Sequence, residues 1–320
     1  MTKKIIYYEH DLKPVYLAEL QQMAPDYQFR SKHTLTQPDY QKVAVMLGWN
    51  KQFGPEILAT PNHSLKWIQA NSAGVDAFDF TQLAQNQVTL TNVSGIHANA
   101  ITETVIGFLL TRYRGLQTSI RAQSQNQWVR HTEIAYDELA GKKMLIFGTG
   151  QIGQQLAHVI THLGVDVYGV NRSGRQLTPF KQVFAQTNSM EQLANFDIIV
   201  NILPLTRDTK HFYNAAFFAQ TKPGASFINV GRGPSVQTAD LVTALKSGQI
   251  GFAGLDVFEE EPLPSEHPLW ALENVLITPH IAGLIRHFQK HIMTIYRENL
   301  TSFLATGQPT KNIVDLTSGY

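Results

Sequence analysis

The sequence contains no cysteine among its 320 residues, which excludes disulfide bonds and thiolate chemistry. Charged residues are also scarce, at 16% against the usual quarter. The 26 basic and 25 acidic residues nearly cancel, and no basic block exceeds a doublet such as Lys142-Lys143. A surface for nucleic acid or for anionic membranes is therefore not expected. No set of metal ligands is proposed either.

Long hydrophobic runs are missing as well. No stretch of eighteen apolar residues occurs, so no membrane-spanning helix is expected. The N-terminal run Ile5–Tyr8 is too short for a signal peptide and predicts a first buried strand. Together these features predict a soluble cytoplasmic protein. A chain of this length suits two compact domains.

Short β-rich runs alternate with helical patterns along the whole chain, which is typical of βα units around parallel sheets. The clearest helices are predicted over Val15–Met23, Ala98–Leu116 and Arg286–Leu304, and the stretch 117–136 is polar and rich in glutamine. Strands are predicted at Lys4–Tyr8, Val43–Leu47, Lys66–Gln69, Val88–Thr91, Met144–Phe147, Val165–Val170, Ile198–Leu203, Ala225–Val230, Phe252–Val257 and Val275–Thr278. We therefore predict two doubly wound α/β domains.

A glycine-rich turn follows the predicted strand Met144–Phe147, and a helix is predicted over Gln154–Leu163. The turn consists of Gly148, Thr149, Gly150, Gln151, Ile152 and Gly153. Although GxGxxG alone is a weak signal, its position between a strand and a helix is the context that dinucleotide binding requires. The glycines permit the tight turn, and the helix N-terminus attracts phosphates.

The end of the next strand bears on which dinucleotide is bound. An acidic residue there would hold the 2′-hydroxyl of NAD, but this chain has Asn171, Arg172 and Ser173 instead. Arg172 can pair with the 2′-phosphate of NADP, and its two neighbours can hydrogen-bond to it. NADP is therefore favoured. The alternatives are a solvated loop arginine and a site for NAD.

Three side chains at further strand ends have the chemistry of keto-acid reduction. Each alone has an ordinary explanation, because Arg232 lies between glycines, Glu261 ends an acidic run, and His280 is a loop histidine. Together they supply a guanidinium for the substrate carboxylate and keto oxygen, a proton donor, and a carboxylate that orients the histidine.

The chain resembles the D-2-hydroxyacid dehydrogenases through most of its length, and within them the glyoxylate/hydroxypyruvate reductase branch. The matching segments are Ser72–Asp76, Gly148–Gly153, Leu203–Thr206, Ile228–Gly233, Leu255–Pro262 and Thr278–Gly283. The resemblance implies that Arg232, Glu261 and His280 are catalytic. It also implies a homodimer built on about 98–136, a discontinuous flavodoxin-like substrate domain of residues 1–97 plus 286–320, and a Rossmann dinucleotide-binding domain of residues 98–285.

Further residues are assigned by the same resemblance. Backbone amides around Ala73 and Gly74 are expected to help Arg232 bind the substrate carboxylate, and Asp256 is expected to reach the nicotinamide carboxamide. Pro204 and Thr206 are expected on the adenosine side. The remaining residues implied in cofactor binding are Leu203, Val230, Gly231, His280, Ala282 and Gly283.

Two other functions stay open on the sequence alone. One is an NAD-linked dehydrogenase of the D-lactate or D-2-hydroxyisocaproate type, because the loops that shape the substrate pocket cannot be positioned from sequence. The other is a dinucleotide-sensing corepressor, which would keep the glycine turn without needing catalysis. The presence of all three catalytic side chains favours the enzyme. Leu284 and Ile285 depart from the small hydroxylated residues that are common after the histidine motif.

Overall fold

The computed structural model describes residues 3–317, which form two parallel β-sheets with helices packed against them. The first sheet contains β1 (Lys4–Tyr8), β2 (Tyr27–Ser31), β3 (Val43–Leu47), β4 (Trp67–Gln69) and β5 (Thr89–Thr91). The second contains β6 (Lys143–Phe147), β7 (Asp166–Asn171), β8 (Val183–Ala185), β9 (Ile198–Asn201), β10 (Ala225–Asn229), β11 (Ile250–Leu255) and β12 (Val275–Ile277). The helices are α1 (Pro14–Met23), α2 (Phe53–Ala59), α3 (Phe80–Gln85), α4 (Ala98–Tyr113), α5 (Leu116–Ser124), α6 (Gln151–Thr161), α7 (Ala215–Ala219), α8 (Thr238–Lys246) and α9 (Phe288–Thr306).

The strand orders confirm the predicted fold class. The first sheet has the order β2-β1-β3-β4-β5, which is the flavodoxin-like arrangement. The second runs β8-β7-β6-β9-β10-β11-β12, which is the Rossmann arrangement with a seventh strand added at one edge. In each sheet the order in which strands are added reverses once. Folds of this kind bind ligands at that point, beyond the carboxyl ends of the strands.

Both faces of the second sheet are buried, which explains why its strands are apolar throughout. Successive residues of β6 point to opposite faces, so that Met144 and Ile146 enter one core while Leu145 and Phe147 enter the other. The first core is shared with α4 and α6, and the second with α7 and α8. The loops at the carboxyl edge are therefore mounted on a rigid support.

Backbone contacts divide the chain into two compact units, one of Met1–Ile96 with Ile285–Tyr320 and one of His97–Leu284. Each unit contains one of the two sheets. The substrate-binding role predicted for the first unit stays a prediction. Within residues 3–317, no helix is long and apolar enough to cross a membrane.

The single helix predicted over Ala98–Leu116 is wrong in its C-terminal part. Helix α4 ends at Tyr113, and a separate helix α5 occupies the start of the polar stretch. Gly115, between them, has a φ of +65°, a conformation that interrupts a right-handed helix. A Cβ there would lie 2.2 Å from the side chain of Ile134, so only glycine fits this corner.

Further differences from the prediction concern two strands and the start of one helix. The strands β2 and β8 were not predicted, and both lie at sheet edges, where half-exposed side chains blur the apolar pattern. Helix α6 begins at Gln151 rather than Gln154, so its first turn is part of the glycine motif itself. Periodicity does not detect this start because the turn is rich in glycine.

Candidate active site

The glycine turn connects β6 to α6, and within it the backbone at Gly153 passes very close to the backbone at Gly148. A Cβ at Gly153 would lie 2.0 Å from the carbonyl oxygen of Gly148, so no other residue fits there. Beside Gly150 the space is open, with no atom within 4 Å of a Cβ placed there. The first N–H groups of α6 face this opening without partners inside the helix. An open cradle with free N–H groups fits the pyrophosphate of a dinucleotide.

Asn171 ends β7 and shapes the loop that is predicted to bind the 2′-phosphate of NADP. Its Oδ1 accepts hydrogen bonds from the backbone N–H groups of 173–175, at 2.7–3.2 Å. Its Nδ2 donates to Thr149 Oγ1 at 3.1 Å and so connects the loop to the glycine turn. Arg172 and Ser173 are exposed. Asn171 is therefore a scaffold of this loop, whereas its two neighbours are accessible to a ligand.

The loop after β9 is held by local hydrogen bonds. The N–H of Leu203 donates to Asn201 Oδ1 at 3.0 Å. Thr209 Oγ1 donates to the carbonyl of Pro204 and accepts from the N–H of Thr206, both at 2.7 Å. The three residues predicted to bind the cofactor here are partly exposed along the same carboxyl edge of the sheet.

Arg232 follows β10 and is half-buried between two glycines. Its Nη1 donates to the carbonyl oxygen of Gly231 at 2.8 Å. A Cβ at Gly233 would lie 1.8 Å from the carbonyl oxygen of Phe258, so the backbone of this loop touches the loop that follows β11. That second loop contains Glu261. The close backbone contact explains why glycine must follow the arginine.

Asp256 follows β11 and is 2% exposed, and protein groups donate hydrogen bonds to both oxygens of its buried carboxylate. Its Oδ1 accepts from Thr278 Oγ1 at 2.6 Å and from the N–H of Ile281 at 2.8 Å. Its Oδ2 accepts from the N–H of Ala282 at 2.9 Å, and its backbone carbonyl accepts from the N–H of His280 at 2.9 Å. Asp256 therefore holds the turn around His280. A contact with nicotinamide stays a prediction.

Glu261 and His280 are brought together by these two loops. His280 Nδ1 lies 2.7 Å from Glu261 Oε2, and Glu261 Oε1 accepts from the N–H of Phe258 at 2.9 Å. The carboxylate is thus fixed at both oxygens. Since Nδ1 faces a carboxylate, it carries a hydrogen, and Nε2 is the nitrogen that remains for a substrate. The His280 side chain is 55% exposed.

All three glutamates of the acidic run are exposed, as its composition suggests, but two of them also make specific contacts. Glu259 accepts from the N–H of Thr238 at 2.7 Å and lies 2.9 Å from His211 Nε2. Glu260 is exposed. Of the three glutamates, Glu261 is the one that contacts His280, which is the residue the resemblance implies.

Two contacts of the histidine turn were not predicted. Thr278 supplies the hydroxyl that donates to the Asp256 carboxylate. His97 Nδ1 donates to the carbonyl of Gly283 at 2.7 Å and fixes the far end of the turn. Nothing in the sequence indicates the His97 contact, because its partners are 186 residues apart.

Ala73 and Gly74 lie in the loop after β4, in the first unit. The loop is closed by Ser72 Oγ, which donates to the carbonyl of Gly74 at 2.6 Å, and by Asn92 Nδ2, which donates to that of Ala73 at 3.0 Å. Their carbonyl groups are therefore turned inward. Within residues 3–317 no acceptor is hydrogen-bonded to their two N–H groups. Their predicted role, the binding of the substrate carboxylate by backbone amides, requires N–H groups that are not used within the loop.

Comparison with known proteins gives one family. Residues 106–282 match the model of the D-isomer specific 2-hydroxyacid dehydrogenase, NAD binding domain. Glyoxylate/hydroxypyruvate reductase B of Citrobacter koseri is 33% identical over 252 residues, which are 76% of this chain and 76% of that protein.

Two solved structures agree with this family. A D-isomer specific 2-hydroxyacid dehydrogenase from Xanthobacter autotrophicus, in complex with NADPH and MES, is 31% identical with a TM-score of 0.82, and all of both chains is covered. A phosphoglycerate dehydrogenase from Lactobacillus plantarum is 40% identical with a TM-score of 0.58, covering 98% of this chain and 100% of that one.

Proposed function

Because the chain belongs to the D-isomer specific 2-hydroxyacid dehydrogenases, we propose that it reduces a small 2-keto acid such as glyoxylate or hydroxypyruvate, using NADPH. The observation that carries this proposal is the 2.7 Å contact between His280 Nδ1 and Glu261, which leaves Nε2 available. A corepressor would not need such a pair. When bound, the dinucleotide would supply the hydride, and residues of this chain would supply the proton and the binding site for the substrate carboxylate.

The glycine turn and the neighbouring loops would hold the dinucleotide. The open space beside Gly150 supports a pyrophosphate there, and the exposed Arg172 and Ser173 support a 2′-phosphate. The NADPH bound to the Xanthobacter relative supports the same preference. NAD is the alternative. The other residues proposed to line the cofactor are Leu203, Pro204, Thr206, Val230, Gly231, Asp256, Ala282 and Gly283.

His280 would deliver the proton of the reaction. As a hydride reaches the keto carbon, negative charge develops on the keto oxygen. The imidazolium form of His280, which carries a hydrogen on Nε2 as well as on Nδ1, gives the Nε2 hydrogen to that oxygen to form the hydroxyl group and becomes neutral. Glu261 keeps the ring oriented through Nδ1, and the Phe258 N–H keeps Glu261 in place.

Arg232 would bind the substrate carboxylate. A guanidinium presents two parallel N–H donors, which match a carboxylate and an adjacent keto oxygen. Its half-buried position strengthens such a charge-assisted contact relative to one in bulk water. The assignment of Ala73 and Gly74 to the same carboxylate stays a prediction.

Steady-state kinetics with a panel of keto acids tests the proposal. The panel contains glyoxylate, hydroxypyruvate, pyruvate, a branched-chain keto acid, and the phosphorylated keto acid that a phosphoglycerate dehydrogenase would form, each with NADPH and with NADH. We expect glyoxylate or hydroxypyruvate with NADPH to give the highest kcat/KM. His280→Gln should lower kcat about a hundredfold or more without changing NADPH affinity. Full activity of that variant would exclude the proposed proton donor.

We also propose that the segment of about 98–136 joins two copies of the chain into a homodimer. It exposes large apolar side chains that a monomer would leave in water, with Trp128 95% exposed and Ile120 61% exposed. Sedimentation equilibrium tests this, and a monomer at micromolar concentration would contradict it. A cytoplasmic location and the absence of nucleic-acid and membrane partners stay predictions.

A further inference from the structure

A group of four polar side chains lies buried beneath the Arg232 loop. We call it the Asn201 cluster, and its members are Asn201, Tyr213, Asn229 and Ser235. None is more than 1% exposed. Asn201 and Asn229 are paired directly across the neighbouring strands β9 and β10, at the carboxyl ends of both. Polar groups this deep in a sheet are costly unless every one is hydrogen-bonded.

The amide of Asn201 uses all of its hydrogen-bonding capacity. Its Nδ2 donates to Asn229 Oδ1 at 2.9 Å and to Ser235 Oγ at 2.8 Å. Its Oδ1 accepts from Tyr213 OH and from the N–H of Leu203, both at 3.0 Å. A primary amide has two donors and two lone pairs, so no position is left over. Neither Asp nor Leu at this position would satisfy all four partners.

The cluster reaches Arg232 through its backbone. Ser235 Oγ donates to the carbonyl oxygen of Arg232 at 2.6 Å, and Asn229 Nδ2 contacts the same oxygen at 3.4 Å. Asn229 Oδ1 accepts from the N–H of Gly231 at 3.2 Å. Atoms on both sides of the arginine are thus anchored to residues that themselves bond to Asn201.

Such anchoring matters because Arg232 is flanked by glycines. Glycine has the widest range of backbone conformations, so a loop of the form Gly-Arg-Gly has little conformational preference of its own. Fixing the carbonyl of Arg232 and the N–H of Gly231 limits that range. Tyr213 adds rigidity from below, because its ring packs between Phe147, Phe217 and Phe227 in the apolar core.

We propose that Asn201 is a positioning residue for Arg232. Acting through the Ser235 and Asn229 side chains, it holds the guanidinium in the place where it binds the substrate carboxylate. The proposal rests on the function proposed above for Arg232. It goes beyond that function because all four hydrogen bonds of the Asn201 amide go to groups other than the arginine side chain. Through Leu203, the same amide also orders the first residue of the loop proposed to line the cofactor.

A double-mutant cycle with hydroxypyruvate at saturating NADPH tests the proposal. Asn201→Ala should lower kcat/KM about tenfold or more in the native background, mainly through KM. In an Arg232→Ala background the same change should cost less than about twofold, because the group that it positions is gone. Equal factors in the two backgrounds would overturn the proposal.

Asn299→Ala is the matched control. Asn299 is also fully buried and makes four hydrogen bonds, with Gln69, Thr310 and Lys311, but it lies in the first unit. We expect it to lower Tm about as much as Asn201→Ala and to change kcat/KM by the same factor in both Arg232 backgrounds. A background-dependent factor for Asn299 as well would mean that general destabilisation explains the coupling, and the proposal would fall.

Ser235→Ala is the milder variant if Asn201→Ala does not fold. It removes the 2.6 Å bond to the Arg232 carbonyl and one partner of Asn201, and it should show the same dependence on Arg232. Independence would again overturn the proposal. The failure of the proposed function is distinguishable, because Arg232→Ala alone would then retain full activity.

Discussion

Asp256→Asn tests whether a buried carboxylate holds the turn around His280. The wild-type side chain accepts three hydrogen bonds, from Thr278, Ile281 and Ala282, and is 2% exposed. An asparagine retains one acceptor oxygen. In its best orientation this oxygen keeps the Thr278 and Ile281 bonds, and the new amide NH₂ faces the N–H of Ala282.

The magnitude follows from that mismatch. One hydrogen bond to a charged acceptor is lost, at about 1.5–3 kcal/mol, and a buried donor is left without a partner. We therefore expect the free energy of unfolding to fall by about 2–4 kcal/mol, within the range for broken buried networks. For a unit of this size that corresponds to a decrease in Tm of about 4–16 °C. Thr278→Val removes only the hydroxyl bond to the same charged acceptor and leaves no buried donor unpaired, so it should cost about 1.5–3 kcal/mol.

Calorimetry and kinetics together give the assay. Because the N–H of His280 bonds to the Asp256 carbonyl, a disturbed turn should also misplace the imidazole and lower kcat at least tenfold. An unchanged Tm with kcat within twofold would refute the reasoning. An unchanged Tm with weaker NADPH binding would instead favour the nicotinamide contact as the main role of Asp256.

Two further predictions concern the cofactor and pH. The double change Asn171→Asp with Arg172→Ile keeps the oxygen that accepts the loop hydrogen bonds but replaces a positive charge by a negative one. The ratio of kcat/KM for the two cofactors should therefore change from favouring NADPH, by about tenfold to hundredfold, to favouring NADH. An unaltered ratio would mean that Arg172 is a loop residue with no role in cofactor choice. Burial disfavours ionised Asp197, but the Lys143 N–H and the Lys222 ammonium outweigh it and hold the pKa of that carboxyl below its usual value. The ionised form therefore stabilises the fold above about pH 4, so Asp197→Asn should lower Tm at pH 7, and the deficit should shrink on acidification below pH 4. A deficit that does not depend on pH would contradict this.

Local sequence determined much of the fold and of the candidate site. The glycine turn was predictable because strand, glycines and helix are consecutive, and apolar runs located the buried strands. The predicted family is confirmed by the match over residues 106–282. Arg232, Glu261 and His280 were chosen by chemistry and by resemblance, and the close approach of Glu261 to His280 gives that choice a geometric basis.

Specific side-chain contacts, most of them between residues far apart in the sequence, could not be predicted. Asn171 resembled a ligand of the phosphate, yet its amide folds back onto its own loop. The Asn201 amide joins residues up to 34 positions away, and no short-range pattern marks it. The corner at Gly115 depends on the side chain of Ile134, which follows it by a loop and a helix.

The contact between Gly233 and Phe258 has a consequence for how substrate range can change. Since two main chains meet there without an intervening side chain, the spacing between the arginine loop and the glutamate loop is set by the sheet beneath them. Point substitutions have no side chain at this junction through which to widen or narrow that spacing. We therefore expect altered specificity, by selection or by engineering, to arise in other loops, while the backbones that carry Arg232 and Glu261 keep one separation.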